Sequence, residues 1–365
     1  MQQRGAVLIA IIFVAMLIGI GFFKLHQSMR FEELEFIKEG EEEIFIDTRK
    51  SGAKLIQEFY LSRWGKYYVL EQDKITEWDA SGNLCGEIGS TGQGPGEFTG
   101  IIGMGVNEEK IFINDQGRKI IIYSRKGEFL RQFPLDTFLA GNFAASNDDE
   151  IIGVTLSSTE SGKIGQITGL DAKGRIKYFL QEPKDHGLWT LRFSKEGGVA
   201  GGIINPENLP AFIICPAGNG VWLAHNSQYF IRFYDYSGNL VRTIEGPPFS
   251  RETTPDISSQ RTRNDVHRRN PAPLFSALIL DESNRLYVIT TSRKRRKQKI
   301  YIADIYSEEG NYLLSAKCQA KPKLINNGFL YFISEDREGW PVIKRIKIKN
   351  YHEIFSRRPT GIQKN

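Results

Sequence analysis

Cysteine and histidine, the side chains that most often build disulfide frameworks and metal sites, are scarce in this sequence. It contains three cysteines and five histidines among 365 residues. Cys85, Cys215 and Cys318 form neither a CxxC pair nor a zinc-ligand spacing, so a disulfide framework is not expected. Each cysteine lies in or beside an apolar, strand-like stretch. This context favours three buried small hydrophobic residues, with a single Cys85 to Cys318 bridge as the alternative.

The histidines are equally dispersed along the chain. His26 and His352 lie near its two ends, and His186, His225 and His267 form no HxH or HxxxH pair. The sequence therefore predicts no metal site, no cofactor and no catalytic residue, although a fold can still assemble ligands from distant segments.

A long apolar run without charge occurs at the N-terminus, from Ala6 to Phe23. As a helix these 18 residues would extend about 27 Å, close to the thickness of a membrane hydrocarbon core. We predict an uncleaved transmembrane anchor, with a cleaved signal peptide as the alternative. Residues 1–5 form a short flank that we expect to be cytoplasmic, which predicts a single-pass anchor in the cell membrane with the rest of the chain extracytoplasmic.

Glycine and aromatic residues are plentiful, with 36 Gly, 23 Phe and 14 Tyr, and they favour strands separated by turns. One pattern recurs five times: two β-rich runs, then Asp or Ser, two residues, Gly, and a third run. An apolar run precedes each copy, so each copy supplies strands a, b, c and d of a propeller blade. The turn glycines of the five copies are Gly82, Gly127, Gly174, Gly238 and Gly310.

A sixth copy, over residues 328–348, lacks the last turn and strand d. An open blade edge exposes unpaired backbone groups, and a ring can avoid this by borrowing a strand from its other end. Glu42 to Arg49 is the natural donor, and we predict that it pairs with Val342 to Ile348. The expected fold is an all-β, six-bladed β-propeller over residues 42–350, closed by an N-terminal strand. Two three-bladed domains are less favoured because they would leave two open edges.

Between the first two blades lies the sequence GSTGQGPGEF, Gly89 to Phe98. Its part from Gly92 to Phe98 resembles the G-x-G-P-G-E-F element of bacterial six-bladed propellers related to NHL-repeat and TolB-like proteins. The resemblance implies the propeller fold, whereas the functions of such propellers range from binding modules to lactonases and lyases. A glycine-rich nest for an anion is one interpretation of this element, but no helix follows it, and we favour a structural turn fastened by Glu97 and Phe98.

Positive charge is concentrated between Phe249 and Ile300, where twelve Arg or Lys stand against five Asp or Glu, while the whole chain carries a net charge of +5. The two basic clusters occupy the connection from blade four to blade five and the b-to-c loop of blade five. Both should emerge on one face of the ring, beside His225 on the b-to-c loop of blade four. The candidate binding residues are Arg251, Arg261, Arg263, His267, Arg268, Arg269, Arg293, Lys294, Arg295, Arg296 and His225.

Such a face can attract an anionic polymer or an acidic protein, and nucleic acid is not expected for an exported domain. A solvated loop without a partner is the alternative. Residues 24–41, with the glutamate-rich stretch from Glu32 to Glu43, predict an acidic spacer, and residues 351–365 predict a polar tail. Because the donated strand should begin on the opposite face, we expect the basic face to look away from the membrane.

The predicted function is a membrane-anchored extracytoplasmic binding or scaffold module that contacts the membrane through Ala6 to Phe23. The alternative is a lactonase-like or lyase-like propeller enzyme with a site at the axial pore. These two classes predict different structures, because an enzyme should gather several inward-pointing Asp, Glu, His or Asn side chains around one pocket. The sequence indicates neither the identity of the partner nor an oligomeric state.

Overall fold

The fold is described from a computed structural model that covers residues 34–35, 38–71, 73–159, 162–180, 212–225, 229–247, 275–293, 299–318 and 320–356. The chain divides into two units, Met1–Leu34 and Glu35–Asn365. The propeller belongs to the second unit. The predicted membrane anchor from Ala6 to Phe23 lies outside the described residues. Within the described residues, no helix combines the length and the apolar character needed to cross a membrane.

The second unit is a ring of six β-sheets, as the repeat predicts; five of them have four strands, and the sheet of blade five has a fifth strand at its outer edge. We number the strands along the chain and letter them a to d within each blade. Two strands precede the first blade: the two-residue β1 (Leu34–Glu35), which is the fifth strand of the blade five sheet, and the ten-residue β2 (Lys38–Asp47). Blade one contains β3 (Ile56–Leu61), β4 (Tyr67–Glu71), β5 (Ile75–Trp78) and β6 (Leu84–Ile88). Between blades one and two lie β7 (Ser90–Thr91) and β8 (Glu97–Phe98), which form a short parallel pair.

The next four blades each contain strands a to d in sequence order. Blade two contains β9 (Ile101–Val106), β10 (Lys110–Asp115), β11 (Lys119–Ser124) and β12 (Phe129–Pro134). Blade three contains β13 (Phe138–Ala145), β14 (Ile151–Thr159), β15 (Gly162–Leu170) and β16 (Ile176–Phe179). Blade four contains β17 (Phe212–Ala217), β18 (Gly220–His225), β19 (Ile231–Asp235) and β20 (Leu240–Ile244). Blade five contains β21 (Phe275–Leu280), β22 (Leu286–Arg293), β23 (Lys299–Tyr306) and β24 (Tyr312–Cys318).

Blade six is completed by the N-terminal strand. Its own strands are β25 (Leu324–Asn326), β26 (Phe329–Glu335) and β27 (Pro341–Ile348), and β2 pairs antiparallel with β27 as strand d. Glu43 lies opposite Arg345 and Asp47 lies opposite Val342, so the predicted closure is confirmed. The strand begins at Lys38, inside the predicted spacer, and a 3-10 turn over Thr48–Lys50 follows it, so the predicted boundaries at Glu42 and Arg49 are revised.

The hydrophobic core lies between successive blades, because each sheet packs its two faces against the neighbouring sheets on either side. In strand b of blade two, Ile111 and Ile113 pack toward blade one, whereas Phe112 packs toward blade three. This alternation is the period of two that a strand imposes on its side chains. The outer d strands are more exposed, since Phe129 and Leu130 at the start of strand d in the same blade remain 39% and 47% accessible.

The c-to-d turns of blades one to five follow the chemistry that the repeat predicts. Asp79 Oδ1 accepts hydrogen bonds from the backbone N–H groups of Ser81 and Asn83, at 2.8 and 2.9 Å. Gly82 then adopts a φ of 77°, which a side chain would strain. The turn glycine therefore closes the hairpin, as expected.

Two predictions about side-chain surroundings need correction. Cys215 and Cys318 are buried, and burial raises the pKa of both thiols to about 12, but Cys85 is exposed. All three cysteines are free, so the Cys85 to Cys318 bridge is not formed. The predicted polar tail begins with a helix, α1 (Tyr351–Ser356), whose Tyr351 is buried against the turn between β21 and β22.

Candidate functional site

The strand directions define two faces of the ring. The a-to-b and c-to-d turns lie on one face, which we call the turn face, and the b-to-c and d-to-a connections lie on the other, which we call the loop face. Strand β2 starts on the turn face, because Lys38 pairs with Ile348, whose N–H donates to the Gly328 carbonyl in the a-to-b turn of blade six. It ends on the loop face, where Arg49 contacts Asp336 at 3.3 Å.

Two of the predicted binding residues lie in described strands. His225 ends strand b of blade four, opposite Phe212, and Arg293 ends strand b of blade five, opposite Lys299. Their backbones therefore lie on the loop face in neighbouring blades, in agreement with the predicted placement. The other candidates lie outside the described residues: Arg251, Arg261, Arg263, His267, Arg268, Arg269, Lys294, Arg295 and Arg296. Binding by this face remains a prediction.

Side chains from different blades meet at the centre of the ring. Tyr60 Oη of blade one donates a 2.6 Å hydrogen bond to Asn142 Oδ1 of blade three. Closer to the turn face, the guanidinium of Arg63 lies against Gly218 of blade four, where an added Cβ would be only 2.3 Å from Nη2. Arg63 therefore reaches across the mouth of the ring.

Arg63 is held by a carboxylate from the next blade. It forms an ion pair with Glu108 Oε1, and Asn147 of blade three donates to Glu108 Oε2 at 3.2 Å. Arg63 and Glu108 keep about half of their side-chain surfaces accessible, at 54% and 46%. These side chains link the a-to-b turns of blades one, two and three around the mouth.

A pocket of about 320 Å³ extends from this ion pair outward between blades four and five. We call it the blade four–five slot. Arg63 and Glu108 lie at its inner end, and Arg242 and Glu308 lie at its outer end. Its apolar floor includes Ala217, Leu280 and Trp222.

The outer end of the slot joins blade four to blade five. Arg242 Nη1 donates to the Glu308 carbonyl at 2.8 Å, and its guanidinium lies over the Phe233 ring, 5.8 Å from the centroid. Asn284 Nδ2 reaches Glu308 Oε1 at 3.5 Å, at the limit of a hydrogen bond. The Glu308 carboxylate and the Asn284 amide therefore keep most of their bonding capacity.

The turn that presents Asn284 is fixed by the C-terminal helix. Arg285 Nε contacts Asp281 Oδ2 at 2.6 Å, and Arg285 Nη2 donates to Tyr351 Oη at 2.7 Å. The Arg285 guanidinium also lies over the Phe355 ring at 3.5 Å. Asn284 itself has a φ of 57°, a conformation that asparagine tolerates better than most residues.

Acidic side chains on the inner strands include one that is already paired. Glu58 of blade one is paired with Lys323 of blade six at 2.8 Å. In the part of the chain that the structure describes, no group of three or more His, Cys, Asp or Glu could hold a metal ion.

In the glycine-rich element between blades one and two, the side chain of Glu97 folds back onto the backbone of the glycines. Glu97 Oε2 accepts the Gly94 N–H at 2.7 Å, and an added Cβ at Gly92 would lie 2.1 Å from the same oxygen. Phe98 is 1% exposed, and Tyr123 Oη donates to the Gly96 carbonyl. Glu97 and Phe98 thus fasten the turn, as predicted, and the Glu97 carboxylate lies where an anion in a nest would bind.

Sequence reasoning did not find the slot. Asn219, Asn284 and Glu108 each lie within two residues before strand b of their blades. An alignment of the repeats on strand b would have placed these polar residues together, at the mouth of one face.

Comparisons with known proteins agree with this architecture. Residues 54–186 match the model of the DUF5128 family, which is described as a 6-bladed beta-propeller. The chain is a six-bladed β-propeller. A Bacteroides fragilis protein predicted to be exported is 14% identical, with a TM-score of 0.56 over 87% of this chain and 99% of that one. A DUF4221 family member from Bacteroides vulgatus is 12% identical, with a TM-score of 0.52 over 85% and 96% of the two chains. No curated protein sequence matches.

Proposed function

We propose that this propeller is an extracytoplasmic binding module, anchored to the membrane through Ala6 to Phe23, that captures an anionic polymer or an acidic protein on its loop face. The observation that carries the proposal is the placement of His225 and Arg293 at the ends of neighbouring b strands on that face. The basic run from Lys294 to Lys299 follows Arg293 directly in the sequence, and the run from Arg251 to Arg269 lies between strand d of blade four and strand a of blade five. Their charges would therefore combine in one positive surface.

The start of strand β2 on the turn face supports a partner other than the anchoring lipids. Lys38, where β2 begins, lies on the turn face, whereas His225 and Arg293 end their strands on the loop face. Export is supported by the Bacteroides fragilis propeller of similar fold, which is itself predicted to be exported. A relationship to NHL-repeat and TolB-like propellers is proposed on the Gly92 to Phe98 element alone.

The test is capture of two soluble polyanions, polyglutamate and dextran sulfate, by the full-length chain at low and high salt. Neutralising five loop-face arginines should weaken capture at low salt by about tenfold and flatten its salt dependence, because screened attraction is the main contribution. The substitutions, each to Ser, are at Arg268, Arg269, Arg293, Arg295 and Arg296.

A matched variant controls for net charge. It neutralises five exposed basic residues on the turn face: Arg125, Lys126, Lys173, Arg175 and Lys349. Equal weakening by both variants, or capture that is insensitive to salt and to the loop-face substitutions, would show that the loop face is only a solvated surface. Digestion of the ring by protease added outside the cytoplasmic membrane tests export, and protection from that protease would place the ring in the cytoplasm.

A further inference from the structure

The blade four–five slot has no net charge of its own. Its lining contains two arginines and two glutamates, and the Arg63 guanidinium is paired with Glu108. Arg242 is engaged by the Glu308 carbonyl and the Phe233 ring. A charged ligand would therefore gain little net attraction and would lose its hydration. This electrostatic balance distinguishes the slot from the basic loop face and favours a neutral ligand.

The groups at the rim are suited to hydroxyl groups. Asn219 and Asn284 are exposed on the turn face, and each amide offers both donors and an acceptor. Glu308 adds a carboxylate acceptor whose contact with Asn284 is long, at 3.5 Å. A hydroxyl donates one hydrogen bond and accepts others, so neighbouring amide and carboxylate groups can satisfy it fully.

The floor and the size of the slot restrict the ligand further. Ala217, Leu280 and Trp222 present apolar surface below the polar rim. The volume of about 320 Å³ lies at the small end of the range for small-molecule sites. The slot can therefore hold one ring with an apolar face and polar edges, but not a folded chain.

We propose that the blade four–five slot binds a single neutral sugar ring. The C–H face of the ring packs on the floor, and its hydroxyls bond to Asn219, Asn284 and Glu308. Arg285, held by Asp281 and Tyr351, fixes the turn that presents Asn284 and so acts as a positioning residue. The site lies on the face opposite the proposed polyanion surface, and the two can be tested independently.

The test is calorimetric titration of the full-length chain, in a detergent without a sugar headgroup, with glucose, galactose, mannose and N-acetylglucosamine. Glycine and glucuronate serve as zwitterionic and anionic probes. At least one neutral sugar should saturate in the millimolar range, and the charged probes should not. Asn284→Gly keeps the backbone conformation and removes the amide, which should weaken binding by about fivefold to tenfold, the equivalent of one hydrogen bond.

Asn327→Gly is the matched control. Asn327 is also exposed, has a φ of 49°, and occupies the corresponding a-to-b turn of blade six outside the slot. It should leave sugar binding unchanged. The proposal is overturned by the absence of saturation with every neutral sugar, by preferential binding of glycine or glucuronate, or by equal weakening in both variants. Both variants should capture polyanions as the unmodified chain does. A negative result for sugar binding would therefore leave the loop-face proposal untouched.

Discussion

The closing strand makes a quantitative prediction possible, because one aromatic side chain connects it to the two ends of the ring. Phe45 of β2 is 6% exposed and packs edge-on against Tyr67 of blade one and Tyr331 of blade six, with ring centroids 4.8 and 5.2 Å apart. The guanidinium of Arg345 lies over the Phe45 ring, 4.6 Å from its centroid. Phe45→Ala removes all of these contacts while leaving the backbone ladder of β2 in place.

The expected loss of stability is about 4 kcal/mol, since truncation of a buried phenylalanine typically costs about 3–5 kcal/mol. For a domain of this size each kcal/mol lowers the melting temperature by about 2 °C, so the midpoint should fall by about 8 °C. Thermal unfolding of the full-length chain, followed by circular dichroism, measures the shift.

Ile44→Ala provides the control on the same strand. Ile44 is 45% exposed, and its truncation should change stability by no more than about 0.5 kcal/mol. Similar shifts for the two variants would refute the conclusion that Phe45 closes the ring by packing. A small shift for both would show that backbone pairing alone holds β2.

Three further predictions concern stability. Gly82→Ala should lower the free energy of unfolding in urea by at least about 2 kcal/mol more than Gly52→Ala. Both glycines have a positive φ, so both substitutions strain the backbone, but only a Cβ at Gly82 would lie 2.0 Å from the Phe45 carbonyl oxygen. Burial raises the pKa of Glu71 above its usual 4.5. Above about pH 4.5 the folded ring therefore retains a proton that the unfolded chain releases, and the free energy of unfolding should fall as the pH rises. Glu71→Gln should abolish this fall when urea unfolding is measured at a series of pH values from about 4.5 upward, whereas an unchanged slope would exclude Glu71 as its source. Tyr351→Phe should cost about 2 kcal/mol in the same assay, since the hydroxyl shares its one proton between Asp281 and Glu282 and accepts a hydrogen bond from Arg285. No change would show that the helix is not anchored through this group.

The ring itself could be predicted from the sequence because its turns are local. An Asp or Ser followed by a glycine at positive φ closes each c-to-d hairpin through contacts within five residues. The b and c strands between these turns have both faces buried, so their apolar runs are clear. The N-terminal strand that completes blade six could be predicted because the open edge of that blade has to be paired.

Part of the predicted acidic spacer forms a strand because the strand opposite it is basic. The glutamates before Ile44 suggested a solvated linker, yet strand β2 extends back to Lys38. The opposite strand is basic, and Arg345 pairs with Glu43 at 2.5 Å while Lys344 lies 3.8 Å from Glu42. Charge complementarity across the ladder, together with backbone pairing, explains why an acidic segment forms a strand here.

The two candidate surfaces differ in how far the sequence could reveal them. The loop face is suggested by runs of like charge, which remain visible without any structure. In the slot, positive and negative groups alternate between blades, as with Arg63 and Glu108, and their charges cancel locally. These residues are distant in sequence and meet only because successive a-to-b turns surround one mouth. A propeller can therefore carry a neutral slot that leaves no charge pattern in its sequence, on the face opposite one whose charge pattern is obvious.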